Sequence, residues 1–167
     1  TFVEVPLPRG TGTADGAEPT PPHVPGPDDL AWAGFSSGST GRPRAVVRTR
    51  ASWAGSFDAV TRLLGLRPTD AVLVPGPLAS SLYCFAAVHT LAVGACVVLT
   101  RTPAATTAAL ATSDVVHLVP QVLDDVLDAC AAGAPSRLRH AVVGGASLPP
   151  EARSRAAALG VDVLAYY

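Results

Sequence analysis

The feature that most narrows what this chain can become is a recurrence of short, unbroken apolar runs, each separated from the next by a helix-like segment. "DAVLVPG" (70–76), "ACVVL" (95–99), "DVVHLV" (114–119), "HAVVGGA" (140–146) and "VDVLAYY" (161–167) are apolar at successive positions. A strand with one face in water alternates apolar and polar residues, so runs like these need cover on both faces. The intervening segments have helical texture: "SSLYCFAAVHTLAVG" (80–94), "PAATTAALAT" (103–112), "QVLDDVLDACAAG" (121–133) and "PPEARSRAAALG" (149–160). Within 121–133, Val122, Leu123, Val126, Leu127 and Cys130 form one stripe, while Asp124, Asp125 and Asp128 face water as a solvated face and not a metal site. Alternating strands and helices predict an α/β fold: a layered, mainly parallel sheet flanked by helices.

Upstream the texture differs. Residues 1–29 read as a short strand, "TFVEV", followed by a Pro/Gly/Thr-rich linker that contains His23. The α/β part is expected to run from 30 to 167, opening with two more strands, "LAWAGFSS" (30–37) and "RAVVRT" (44–49), and one helix over 52–66 stopped near Gly65. No initiator Met begins the chain and it stops within an apolar run, so both ends are expected to be cut.

Charge adds little. The net charge is −1, which offers no general attraction to nucleic acid or to an anionic membrane, and no apolar run is long enough to span a bilayer. All twelve cations are arginine, a bias in keeping with a GC-rich coding sequence. Cys84, Cys96 and Cys130 lack C-x-x-C spacing and read as buried, unpaired thiols of a cytoplasmic protein, not as a disulfide framework or a zinc site. His89 and His117, inside apolar segments, read as core or pocket wall, and His140 as exposed.

The chemistry concentrates in "GFSSGSTGRPR" (34–44), which supports two readings. Gly34-Phe35-Ser36-Ser37-Gly38 fits G-x-S-x-G, the elbow presenting a nucleophilic serine, here Ser36. That elbow needs a helix immediately after the turn, whereas Gly41, Pro43 and a β-branched run follow. The other reading is a phosphate loop. Gly38 and Gly41 let backbone N–H groups approach anionic oxygens, Ser36, Ser37, Ser39 and Thr40 add hydroxyl donors, and Arg44 offers a forked cation. The spacing is not that of Walker A.

The longer stretch "SSGSTGRPRAVV" resembles [ST]-S-G-[ST]-T-G-x-P-K-[GA]-V of the adenylate-forming superfamily, which comprises acyl-CoA ligases, adenylation domains and luciferases. "VVHLVPQVLDDVL", "LRHAVVGGASLPPE" and the terminal "VLAYY" resemble later motifs of that family in the same order. The likeness is greatest to bacterial acyl-CoA ligases. It implies ATP-dependent adenylation of a fatty or aromatic carboxylic acid, then transfer of the acyl group to coenzyme A or an acyl carrier protein. It also implies that Ser36, Ser37, Gly38, Ser39, Thr40, Gly41 and Arg44 hold the ATP phosphates, that Gly144, Gly145 and Ala146 line the adenine and acyl pockets, and that Tyr167 stacks on adenine. Ser80 would gate the acyl pocket. The family's Mg²⁺-binding glutamate would lie past Tyr167, leaving the fragment inactive alone.

Three departures stand out. Arg44 replaces the usual lysine, Ser80 replaces a frequent histidine, and no aspartate is present near Ser80 to hold an α-amino group. The first two leave open a non-catalytic nucleotide- or partner-binding relative.

Overall fold

The computed structural model describes residues 24–36 and 44–166. The chain divides into two compact units, Thr1–Trp53 and Ala54–Tyr167.

In the first unit, β1 (Leu30–Ser36) pairs antiparallel with β2 (Arg44–Thr49), and helix α1 (Arg50–Ala54) comes next. Thr49 Oγ1 accepts the Ser52 N–H at 3.2 Å, satisfying one of the donors that a helix start leaves free. The segment before β1 is tied to the same helix start: Arg50 N–H donates to Asp29 C=O and Ala51 N–H to Pro27 C=O, both at 2.8 Å. Gly34 is bare for a packing reason. A Cβ there would stand 1.9 Å from Cη2 of Trp32, whose ring lies over Gly34 and packs at 4.9 Å on Trp53, tilted by 42°.

The second unit begins with α2 (Phe57–Leu64), so the single helix expected over 52–66 is two helices interrupted at Gly55-Ser56. Gly65 ends α2 in the left-handed region (φ 52°), where a residue without Cβ is favoured. Then come β3 (Ala71–Val74), α3 (Ser81–Val93), β4 (Cys96–Leu99), α4 (Pro103–Ala109), β5 (Val115–Leu118), α5 (Pro120–Ala131), β6 (His140–Val143), α6 (Pro150–Ala158) and β7 (Asp162–Ala165). The strands form one parallel five-stranded sheet in the order β4-β3-β5-β6-β7.

Successive residues of the inner strands serve opposite faces, as the unbroken apolar runs require. Val72, Val74, Val115 and Val142 pack with Leu64, Leu82, Tyr83 and Ala86 of α2 and α3. Leu73, Val116, Leu118, Ala141 and Val143 pack on the other side with Leu123, Val126 and Leu127 of α5 and Ala152 and Ala156 of α6.

β4 departs from the expected buried strand. Among the described residues it pairs only with β3 and forms an edge, and Leu99 is 57% exposed. The thiols expected to be buried are accordingly not so: Cys96 on β4 is exposed, and Cys84 and Cys130 are half-buried, all three free. His140, read as exposed, is half-buried because its strand lies between β5 and β7.

At the amino ends of the strands, buried Asp70 accepts Arg67 N–H (2.7 Å) and pairs with Arg139 at 2.5 Å. Burial pushes its carboxyl up, but the Arg67 bonds and the Arg139 charge outweigh that and hold it below the ordinary carboxylate value. Asp114 likewise accepts Ala71 N–H and pairs with Arg137, each at 2.8 Å. Among the described residues no helix is long and apolar enough to cross a membrane.

Candidate functional site

In the first unit, the candidate phosphate loop is the connection of the β1–β2 hairpin. The register places Ser36, the last residue of β1, opposite Arg44, the first of β2. Ser37, Gly38, Ser39, Thr40 and Gly41 lie outside the described residues. Among the described residues the element that follows Ser36 is β2, an antiparallel strand, where an elbow presenting Ser36 would call for a helix.

In the second unit, the sheet order creates a second candidate. From β3 the chain moves outward to β4, then crosses back past β3 to β5. The carboxyl ends of β3 and β5 therefore diverge into connections on opposite faces, and such a switch point is where open parallel sheets hold ligands. On the α3 side, Gly76 after β3, Tyr83 on α3, Val119 after β5, Gly144 after β6 and Tyr166 after β7 stand around these strand ends.

Both glycines are dictated by aromatic rings. A Cβ on Gly76 would come 2.0 Å from Tyr83 Cε2, and one on Gly144 would come 2.9 Å from Tyr166 Cζ. Gly144 N–H donates to Leu118 C=O (3.2 Å) and Tyr166 N–H to Val143 C=O (3.0 Å), which continues the ladder past the strand ends and fixes both residues. Gly145 turns the chain in the left-handed region (φ 87°). Ala146, next in the turn, is exposed.

The side chains at these strand ends are held neutral near pH 7. Burial, and then the neighbouring Tyr83 phenol, push Tyr166 up to about 12. Burial also raises Tyr83, against the opposing effect of the Val119 backbone N–H. Beneath Val119 on the same face, His117 is driven down to about 3 by burial and then by His89. His89 is lowered by its own burial and shares a 2.8 Å hydrogen bond with Thr61 through Nε2. Both histidines are thus neutral core residues, 0% (His89) and 1% (His117) exposed. What the strand ends present on this side, the Tyr166 phenol and its apolar neighbours, is neutral and supplies no countercharge.

Of the residues singled out from the sequence, Gly144, Gly145 and Ala146 form the turn at these strand ends, and Ser80 precedes α3, its side chain making no capping bond. Tyr167 lies outside the described residues. Asp124 and Asp128 are not simply solvated, because Arg155 of α6 pairs with both. Among the described residues no three His, Cys, Asp or Glu side chains are grouped to hold a metal. Gly76, Tyr83, Val119 and Tyr166 do not stand out in the sequence. The Pro-Gly-Pro triplet at 75–77 and the doubled tyrosine at 166–167 are the available signals.

Comparison with known proteins gives these features a family. Residues 3–167 match the family model of the AMP-binding enzymes. The chain is similar to an acyl–CoA ligase of Bacillus subtilis, YhfT, described as uncharacterized, at 34% identity over 136 residues, covering 79% of this chain and 28% of that protein. Among solved structures, it is similar to Escherichia coli MenE bound to a phenylether-linked analogue of OSB-AMS (TM-score 0.72, 25% identity, 85% of this chain and 31% of that one). It also shares the fold of the N-terminal domain of FACL13 from Mycobacterium tuberculosis (TM-score 0.74, 22% identity, 93% of this chain and 40% of that one). The chain thus spans less than half the length of each of these relatives.

Proposed function

The chain belongs to the AMP-binding enzyme family, and from that premise we propose that it forms part of an ATP-dependent acyl-activating enzyme, an acid–thiol ligase of the acyl-CoA synthetase type. In the proposed reaction a carboxylate oxygen attacks the α-phosphorus of ATP, and the bond to the bridging oxygen breaks to release pyrophosphate. A thiolate, that of coenzyme A or of an acyl carrier protein, then attacks the acyl carbon and AMP leaves.

The observation that carries this reading is the hairpin. Its connection, opened by Ser36 and closed by Arg44, is rich in Gly, Ser and Thr and leads into a strand. Ser36, Ser37, Ser39 and Thr40 would donate hydroxyl bonds, Gly38 and Gly41 would let backbone N–H groups near the β- and γ-phosphates, and Arg44 would fork onto their oxygens. Gly144, Gly145, Ala146 and Tyr167 would border adenine and the acyl group, with Ser80 at the mouth of the acyl pocket. The neutral side chains at the strand ends favour a fatty or aromatic acid over a charged one. Mg²⁺ would be held by groups past Tyr167, and no step above is assigned to it.

The test is carboxylate-dependent release of AMP and pyrophosphate by a protein that contains this chain together with the rest of the ligase length. Release that rises with added acid and ATP is the expected outcome, whereas ATP binding with no release would favour a non-catalytic relative. That second reading draws on Arg44 and Ser80, which stand where the family resemblance leads one to expect lysine and histidine. The chain alone is expected to show no exchange of pyrophosphate into ATP, and exchange by residues 1–167 would overturn that expectation.

A further inference from the structure

The opposite face of the sheet holds a cavity that plays no part in the proposed reaction. It lies between α4 and α5, beside the ends of β3 and β4, and measures about 120 Å³. Its apolar wall is Val122 and Val126 of α5, the latter 4% exposed and part of the core. Thr106 and Thr107 of α4 border it with hydroxyls, and Thr106 is fixed there by a 2.8 Å hydrogen bond with Thr100. Two opposite charges complete the lining: Arg101, just after β4, and Asp125 on α5. Both charges are spare. Asp124 and Asp128, the other acids of α5, pair with Arg155. Among the described residues the side chains of Arg101 and Asp125 make no hydrogen bond or ion pair, with each other or with anything else.

A ligand with a single charge would gain one partner in this cavity and meet repulsion from the other. A dipolar ion gains from both, and forked bonds between a guanidinium and a carboxylate are among the stronger polar contacts. Volume sets the size. A round cavity of 120 Å³ is about 6 Å across and holds roughly five or six non-hydrogen atoms, given that one of about 150 Å³ takes benzene. We propose that this cavity binds a small zwitterion, an α-amino acid of the size of glycine or alanine. Its carboxylate would lie on Arg101, its ammonium on Asp125 and its carbon skeleton against Val122 and Val126. The cavity is on the α4–α5 side of the sheet, opposite α3, so this ligand is distinct from the carboxylic acid proposed for activation. The inference does not rest on that proposal.

The experiment is calorimetric titration of glycine, L-alanine, L-leucine, acetate and methylammonium, without ATP, into a protein that contains this chain with the rest of the ligase length. Glycine and alanine are expected to bind with Kd on the order of 1 mM and to raise the thermal midpoint. Acetate and methylammonium, each carrying half of the dipole, should bind at least ~5-fold more weakly than glycine. Leucine, whose side chain exceeds the space, should bind at least ~10-fold more weakly than alanine. Arg101→Gln and Asp125→Asn should each weaken glycine binding by at least ~5-fold. The ligand-free midpoint should stay in place in both, since neither side chain has a partner to lose. Should one variant fail to fold, the other decides alone. Absence of glycine binding, equal affinity for acetate and glycine, leucine binding as tight as alanine binding, or glycine binding unchanged in the folded variants overturns the inference.

Discussion

The hairpin and the parallel sheet carry their candidate functional residues in opposite ways. In the hairpin, chemistry is spelled by residue type: small residues, hydroxyls and an arginine close together between two strands. In the sheet, Gly76, Tyr83, Gly144 and Tyr166 are spread over about 90 positions of sequence and mean nothing individually. They come together only because the strand order brings the strand ends together. The first kind of site can be altered without touching the core, whereas the second is an extension of it.

The largest effect that would sharpen this contrast is on ligand binding. Replacing Gly38 and Gly41 together by valine should lower ATP affinity by about 100-fold or more, through lost backbone approach. The thermal midpoint should hardly move, since neither glycine belongs to the clusters that form the sheet's core. A drop of many degrees with ATP binding preserved would break the comparison.

A smaller effect concerns acid. His117 and His89 have folded pKa values below the ordinary 6.5, His117 down to about 3. The unfolded chain takes up protons near 6.5 while the folded one resists, so their contribution is complete above 6.5 and is lost as pH falls toward 3. Urea unfolding tracked from about pH 7 to about pH 4 should show declining stability, and His117→Leu should make that decline shallower. An unchanged slope in the variant would show that the buried imidazole is not the source.

The smallest effect lies on the helical surface. Arg155→Ala removes the pairs with Asp124 and Asp128, yet all three groups are well exposed (44%, 50% and 71% for their side chains). Solvent screening limits the loss to less than about 1 kcal/mol, read as a shift in the denaturant midpoint. A larger loss would mean that α5 and α6 depend on charge and not on Leu127, Ala152 and Ala156.

These contrasts also explain how much could be read in advance. The strand–helix alternation foretold the parallel sheet because two-sided burial needs continuous apolar runs, and the strands from β3 to β7 all carry them. Burial at the edge could not be read the same way. "ACVVL" is as apolar as "DVVHLV", and only the crossover past β3 decides that β4 has one neighbour and β5 two. The break at Gly55-Ser56 fell inside a stretch whose apolar spacing alone suggests one helix. The proposed phosphate loop can be singled out in the sequence because its residue types stand close together in the chain. Tyr83 and Tyr166 were not, because a ring resting on a distant glycine leaves no periodic trace in the chain. His140 was misjudged for a related reason, since a strand's first residue is shielded by neighbours that the sequence does not name.

The ring of Tyr83 lying flush on Gly76 has an evolutionary corollary. Any descendant that acquires alanine at 76 must first, or at once, trade the tyrosine for something slimmer, because the new carbon would sit 2.0 Å from the aromatic edge. The two positions are therefore ordered in time: a slimmer residue at 83 can come first, but alanine at 76 with the tyrosine retained should give a reconstructed ancestor of lowered stability.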